Sequence, residues 1–167
     1  SFVANLRSGN VQFTGTIAAD GPASARSMIF VTPDAQRSMN TYLGASLTMT
    51  DASIQDDITA KFIYLEGYLF DAPDGPAIFA KAAQLALETR AALSLTLSDS
   101  WCVERHKDAL SAFIRDHVSI LFSNQDEIQA LLGTDDDDTI ASFAREIDEL
   151  IVTKGAAGAD IWRRGEK

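Results

Sequence analysis

Between residues 62 and 153, short apolar runs alternate with longer stretches in which apolar residues recur at helical spacing. No other feature narrows the possible folds as much. The runs fall at 62–65, 93–97, 118–122 and 150–153, each too short for a helix core and bounded by polar residues. Between them, 75–90 carries a stripe of Ile78, Phe79, Ala82, Leu85 and Ala86, and about 103–115 places His106, Leu110, Phe113 and Ile114 on one face. Two further helices are expected, one opening at Asn124 and stopped by Gly133, the other around 139–148. Strand and helix in strict alternation predict an α/β fold: a parallel sheet, right-handed crossovers and helices on both faces, the three-layer α/β/α arrangement. The apolar run at 118–122 reads as a strand covered on both faces.

Residues 11–48 have a different character. Positions 11–17 alternate apolar and polar side chains, as a half-exposed strand would, and 26–32 and 37–43 flank Pro33-Asp-Ala-Gln36, a turn with proline and aspartate in suitable places. The strands are too few to close a barrel, so this part is expected to be a small antiparallel β lid (11–48) on the α/β part (51–167). Residues 2–6 before Gly9 resemble the last turns of a helix. At the other end, 159–162 suggests one more strand with nothing to pair against, then a turn at Arg164-Gly165. A chain that starts in mid-helix and stops at such a turn is expected to be part of a longer one.

Composition excludes several classes. The 167 residues are 46% hydrophobic and 23% charged, ordinary globular usage, and suffice for one sizeable core. The net charge of −10 argues against a nucleic-acid backbone as partner, and an anionic ligand would need a cation or a local basic patch to dock. No apolar run approaches membrane-span length and no signal peptide is visible. The single cysteine rules out an intrachain disulfide and fits a reducing cytosol, so a cytoplasmic location is expected.

Open α/β sheets bind ligands just outside the carboxyl ends of their strands. Glu66, Asp71, Asp99, Asn124, Glu127, Thr153 and Gly155 all fall at or just after such ends. Asn124 and Glu127 have a purely structural reading as a capping box. Asp126 and Glu127 also crowd the first helical turn with negative charge, and like charges about 4 Å apart cost about 4 kcal/mol at an effective dielectric near 20. A phosphate bridged by a divalent cation therefore suits this helix start better than a bare one. Mg²⁺ takes one or two carboxylates, several waters and substrate phosphates.

The run Leu121-Phe-Ser-Asn-Gln-Asp-Glu127 resembles the Asn-x-x-Glu motif of the ribokinase-like carbohydrate kinases of the phosphofructokinase-B type, and within them the adenosine kinase branch. Three more segments agree in order along the chain: Ser27 to Gly44 resembles the lid region, Tyr64-Leu-Glu-Gly-Tyr-Leu69 a strand end beside the substrate site, and Val152-Thr-Lys-Gly-Ala-Ala-Gly158 the nucleotide-contacting Val-Thr-x-Gly-x-x-Gly. The resemblance implies ATP and Mg²⁺ as cofactors, with Asn124 and Glu127 organising the metal and its waters. It implies that Thr153, Gly155 and Gly158 line the nucleotide tail. The family's general base is an aspartate in a downstream Gly-Ala-Gly-Asp motif that does not occur before Lys167, so no catalytic base is expected within these residues. The implied reaction is ATP-dependent phosphoryl transfer to a hydroxyl of a nucleoside or sugar. The alternative is a non-catalytic nucleotide- or metabolite-binding module on the same scaffold. A small-molecule partner and a homodimer through the lid complete the expectations.

The chain departs from the family at Ser24-Ala25, where Thr-Gly is usual, and at Asp99, where adenosine kinases tend to have alanine. Arg37, Tyr68 and Asp99 are substrate-side candidates. Arg37 reads equally as solvated hairpin surface, and Tyr68 as plain core. Cys102 and His106 share a helix side, but nothing supplies a third orienting group or an oxyanion site for a nucleophilic dyad. His117 reads as a strand-end residue, and Asp135 to Asp138 as a solvated loop without EF-hand spacing.

Overall fold

The computed structural model describes residues 2–15, 17–18 and 20–167. A five-stranded sheet runs in the order β3 (Phe62–Glu66), β4 (Ala92–Thr96), β5 (Ile120–Asn124), β6 (Glu149–Thr153) and β7 (Ala159–Arg163), after a separate hairpin of β1 (Arg26–Val31) and β2 (Arg37–Tyr42) and a short α1 (Phe2–Ser8). The first four strands of the sheet are parallel and β7 is antiparallel to β6. The crossovers are α2 (Gly75–Thr89), α3 (Ser100–His117), and α4 (Gln125–Leu132) with α5 (Asp137–Phe143). No helix of the described residues is long and apolar enough to cross a membrane.

The α/β class and the antiparallel lid hairpin are as the sequence predicts, and among the described residues α2 to α5 all pack on one face of the sheet. Each parallel strand is added on the same side of its predecessor. Right-handed crossovers taken repeatedly in one direction put every connecting helix on one face. A single core results, in which Leu65, Leu93, Leu95, Leu121, Leu150 and Val152 pack against Phe79, Val103, Leu110, Ile114, Ile128 and Ile140 of α2 to α5. The opposite face carries Phe62, Tyr64, Phe122 and Ile161, which remain 60, 54, 37 and 46% exposed. The rings of Tyr64 and Phe122 meet edge to face at 6.4 Å. The small Ser94 and Thr96 lie between them in register. The apolar run of β5 is therefore covered on one face within this chain, and it begins two residues later than its pattern suggests.

Local signals explain most boundaries. All five residues of the α2 stripe are buried. The helix ends at Arg90, which takes the left-handed conformation (φ 58°) and donates its N–H to the carbonyl of Ala86. Gly133 closes α4 in the same way at φ 81°. Helix α3 starts earlier than periodicity implies, because the Oδ1 of Asp99 accepts the N–H groups of Trp101 and Cys102. His117 is accordingly the last residue of a helix and not a strand end. The aspartate run is only partly loop: Asp136 accepts from the N–H of Thr139 and caps α5, which is shorter and begins earlier than expected.

Two expectations about strands are corrected. Residues 11–15 and Ile17 form no strand, and Thr16 lies outside the described residues. An alternating pattern becomes a strand only where a partner satisfies its backbone; β1 and β2 pair with each other, Ser27 facing Thr41 and Ile29 facing Met39, and the segment docks on neither outer edge of that hairpin. Conversely, 159–162 is not unpaired, since β7 folds back on β6 with Leu150 opposite Trp162.

Candidate functional site at the carboxyl rim

Strand β5 ends at Asn124, which is both the last ladder residue and the N-cap of α4. Its Oδ1 accepts the N–H of Glu127 at 2.8 Å, while its own N–H donates to Oε2 of Glu127 at 3.0 Å and its Nδ2 donates to Oε1 at 2.8 Å. The capping box is complete, and it engages both carboxylate oxygens. Glu127 is buried, which pushes its carboxyl above the usual range; the Asn124 backbone pulls it back, and Asp99 and Asp126 add to the rise. A cation at this point meets a carboxylate whose two oxygens each already accept a hydrogen bond from Asn124, so contact through waters fits better than a stripped ligand.

The neighbouring strand contributes Thr153, the Cα partner of Asn124. Its Oγ1 donates to the carbonyl of Ser123 at 3.3 Å. The chain then reverses through Gly155–Ala157 into β7. Gly158 adopts φ 92° and ψ −137°, a conformation open essentially to glycine alone. Its N–H donates to the carbonyl of Gly155 at 3.2 Å.

Sequence reasoning missed Lys154, the variable residue of the Val-Thr-x-Gly segment. Its Nζ lies 2.8 Å from Asp160, which also meets Lys167 at 2.8 Å, and Lys167 reaches Asp137 at 3.1 Å. Lys154 and then Lys167 hold the Asp160 carboxyl below the usual range. The available signal was the need for a local cation in a chain of net charge −10.

On the other side, β3 ends at Glu66 and β4 at Thr96. Ser98, in the left-handed region at φ 70°, donates to Oε2 of Glu66 at 3.0 Å. The 3-10 turn Gly67–Asp71 lies tight against this edge: a Cβ on Gly67 would stand 2.4 Å from the carbonyl oxygen of Leu97. Tyr68 on that turn is half exposed and is not core. Burial, then the fields of Asp99, Cys102, Glu127 and Glu66, raise its phenol above the ordinary value. Tyr68, Asp99, Glu66 and Glu127 thus share one acidic corner of the rim. Asp99 is committed through Oδ1 to capping α3. Asp71 faces away toward α3, where Arg105 and His106 hold it. Arg37 opens β2 opposite Val31, exposed, with no hydrogen bond or ion pair to the rim among the described residues.

Polar side chains thus collect at the carboxyl ends of the parallel strands, the edge on which open α/β sheets bind their ligands. The chain belongs to the pfkB family of carbohydrate kinases, whose sequence pattern extends over residues 1–167. It is 28% identical over 145 residues to guanosine-inosine kinase of Escherichia coli strain K12, matching 83% of this chain and 33% of that protein. Its structure superposes on the adenosine kinase from Sinorhizobium meliloti with a TM-score of 0.92 at 36% identity, over 98% of this chain and 51% of the other. The Anopheles gambiae adenosine kinase shares the fold, with a TM-score of 0.79 at 22% identity over 98% of this chain and 53% of that one. The chain therefore spans between a third and about half of the length of these relatives.

Proposed function

We propose that this protein transfers the γ-phosphoryl group of ATP to a hydroxyl of a nucleoside or sugar. The observation that carries the reading is the junction of Asn124-x-x-Glu127 and Thr153-x-Gly155 on adjacent strand ends, held in register by the β5–β6 ladder. Phosphoryl transfer needs positioning and charge stabilisation more than covalent chemistry. Backbone N–H groups around Thr153, Gly155 and Gly158 would line the nucleotide tail, where glycines let a ligand approach the main chain. Lys154 adds a cation beside that loop. Glu127 and Asn124 would hold Mg²⁺ through its waters, and the metal would supply charge neutralisation between phosphates. Tyr68 and Asp99 stand on the acceptor side of the same rim, and Arg37 would reach it only through movement of the lid (11–48).

The aspartate that removes the acceptor proton is assigned to sequence beyond Lys167, and a third layer over Phe62, Tyr64 and Phe122 to the rest of the protein. Met28, Phe30 and Met39, exposed on the hairpin, support a lid-to-lid contact between two copies. ATP as phosphoryl donor supports a cytoplasmic location. The test is a kinase assay of the full-length protein with ATP and Mg²⁺ against a panel of nucleosides and sugars. Phosphorylation of one acceptor, abolished by chelating Mg²⁺, is expected. ATP binding without transfer to any acceptor would overturn the reading in favour of a binding module.

A further inference from the structure

Three ligand-bearing side chains with no part in the proposed transfer meet where the turn Gly67–Asp71 lies on α3. The Nε2 of His106 is 2.8 Å from Oδ1 of Asp71. One oxygen of Asp71, one ring nitrogen of His106 and the Sγ of Cys102 all lie within 4.8 Å of one another. We propose that Asp71, Cys102 and His106 form a binding site for a borderline divalent cation of the Zn²⁺ class.

The sequence builds this corner from both sides. Cys102 and His106 are four residues apart and project from the same side of α3. The helix departs from helical geometry at His106 (φ −118°, ψ 19°), although neither proline nor glycine occurs within it. Opposite, the carbonyl of Gly67 accepts the Cys102 thiol at 3.4 Å, and the tight fit of Gly67 against Leu97 fixes the turn that ends in Asp71. The ring of Phe70 lies 5.6 Å from that of His106, with Phe79 and Phe113 behind it. An apolar wall of this kind on one side lowers the local dielectric and strengthens metal–ligand contacts, while the Asp71 side stays open.

The donor set chooses the ion. Sulfur, nitrogen and a single carboxylate suit tetrahedral Zn²⁺, whereas Mg²⁺ and Ca²⁺ take oxygen ligands. Ligand atoms about 2.0–2.3 Å from such an ion stand roughly 3.4–3.6 Å apart, between the 2.8 Å of the Asp71–His106 contact and the 4.8 Å that bounds the set. The side chains of Asp71 and His106, each 28% exposed, leave the fourth position to water.

Arg105 shapes the affinity. Its Nη2 holds the far oxygen of Asp71 at 2.5 Å while its Nε lies 3.1 Å from Oδ1. The cation takes Oδ1 and leaves Oδ2 to the guanidinium, whose charge lowers affinity. Burial pushes the Cys102 thiol up to about 11, so it is protonated without the ion. Binding breaks the S–H bond as the S–metal bond forms and releases one proton to solvent, with His106 ligating as neutral imidazole.

The test is a Co²⁺ titration of the chelator-treated full-length protein in saturating Mg²⁺, followed by displacement with Zn²⁺. The expected result is a thiolate-to-Co²⁺ charge-transfer band with tetrahedral visible bands, bleached by one equivalent of Zn²⁺. His106→Gln should weaken Co²⁺ and Zn²⁺ binding by about tenfold or more. Cys102→Ser should remove the charge-transfer band, and Arg105→Gln should tighten binding. Because Cys102 is buried, folding of its variant is checked by circular dichroism; if it fails, His106→Gln and Asp71→Asn decide. Absence of a thiolate band, its survival in a folded Cys102→Ser, or unchanged affinity in His106→Gln and Asp71→Asn would overturn the assignment. None of these readouts depends on kinase activity.

Discussion

Asn124 and Thr153 face each other as Cα partners at the carboxyl end of the β5–β6 ladder, and Thr153 reaches back through its hydroxyl to the carbonyl of Ser123 at 3.3 Å. Two polar residues from separate motifs are thereby fixed side by side by main-chain pairing. Neither depends on a mobile side chain for its place.

Thr153→Val keeps the β-branched shape and removes the hydroxyl. Losing one hydrogen bond of this kind should cost about 1 kcal/mol, read as a lower urea midpoint of the full-length protein. If the hydroxyl also meets nucleotide, the KM for ATP rises in the same variant. An unchanged KM would confine Thr153 to a structural role.

Glu127→Gln swaps an oxygen for an amide nitrogen opposite two donors of Asn124. One of those hydrogen bonds becomes a donor–donor contact in a buried position, so stability should fall by about 1–3 kcal/mol. Turnover should also demand more Mg²⁺. Titrating Mg²⁺ at fixed ATP checks this, and an unaltered Mg²⁺ dependence would remove Glu127 from cation binding.

Gly67→Ala places a methyl group 2.4 Å from the carbonyl oxygen of Leu97, main chain that cannot swing aside. The turn carrying Tyr68 must shift, at a cost of about 1–3 kcal/mol. Chemical denaturation of the two proteins side by side measures it; equal midpoints would show that the turn is not tightly seated.

Asp160→Asn addresses acid stability. Lys154 and Lys167 lower the folded-state pKa of Asp160 beneath the ordinary 3.8. A lowered carboxylate binds fewer protons in the folded than in the unfolded chain. Its stabilisation is present above 3.8 and is lost as pH falls through the folded value. The asparagine variant should therefore be less stable at neutral pH, with the gap closing in acid. Unfolding midpoints recorded from pH 7 down to about pH 3 test the sign. A gap that stays constant would mean the lysines do not act through the charge.

The sequence by itself determined what is local. Ile78, Phe79, Ala82, Leu85 and Ala86 mark the buried side of α2 because a helix repeats within its own turns. Asn124 and Glu127 announce a cap because the bonds span three residues. The strand–helix order, with the pull of hydrophobic burial, was enough to name the class of fold.

Tertiary structure decided the rest, for reasons of long-range pairing. An alternating pattern at 11–17 and a short run at 159–162 look alike on paper. Only the second pairs with a strand, because a tight glycine turn delivers it to β6. That all of α2 to α5 lie on one face follows from the spatial order of the strands, which residue types do not encode. The Lys154–Asp160–Lys167 chain and the Asp71–Cys102–His106 corner join residues as many as 35 positions apart. Charges and ligands so far apart in the chain become neighbours only when the backbone between them has already found its hydrogen-bond partners.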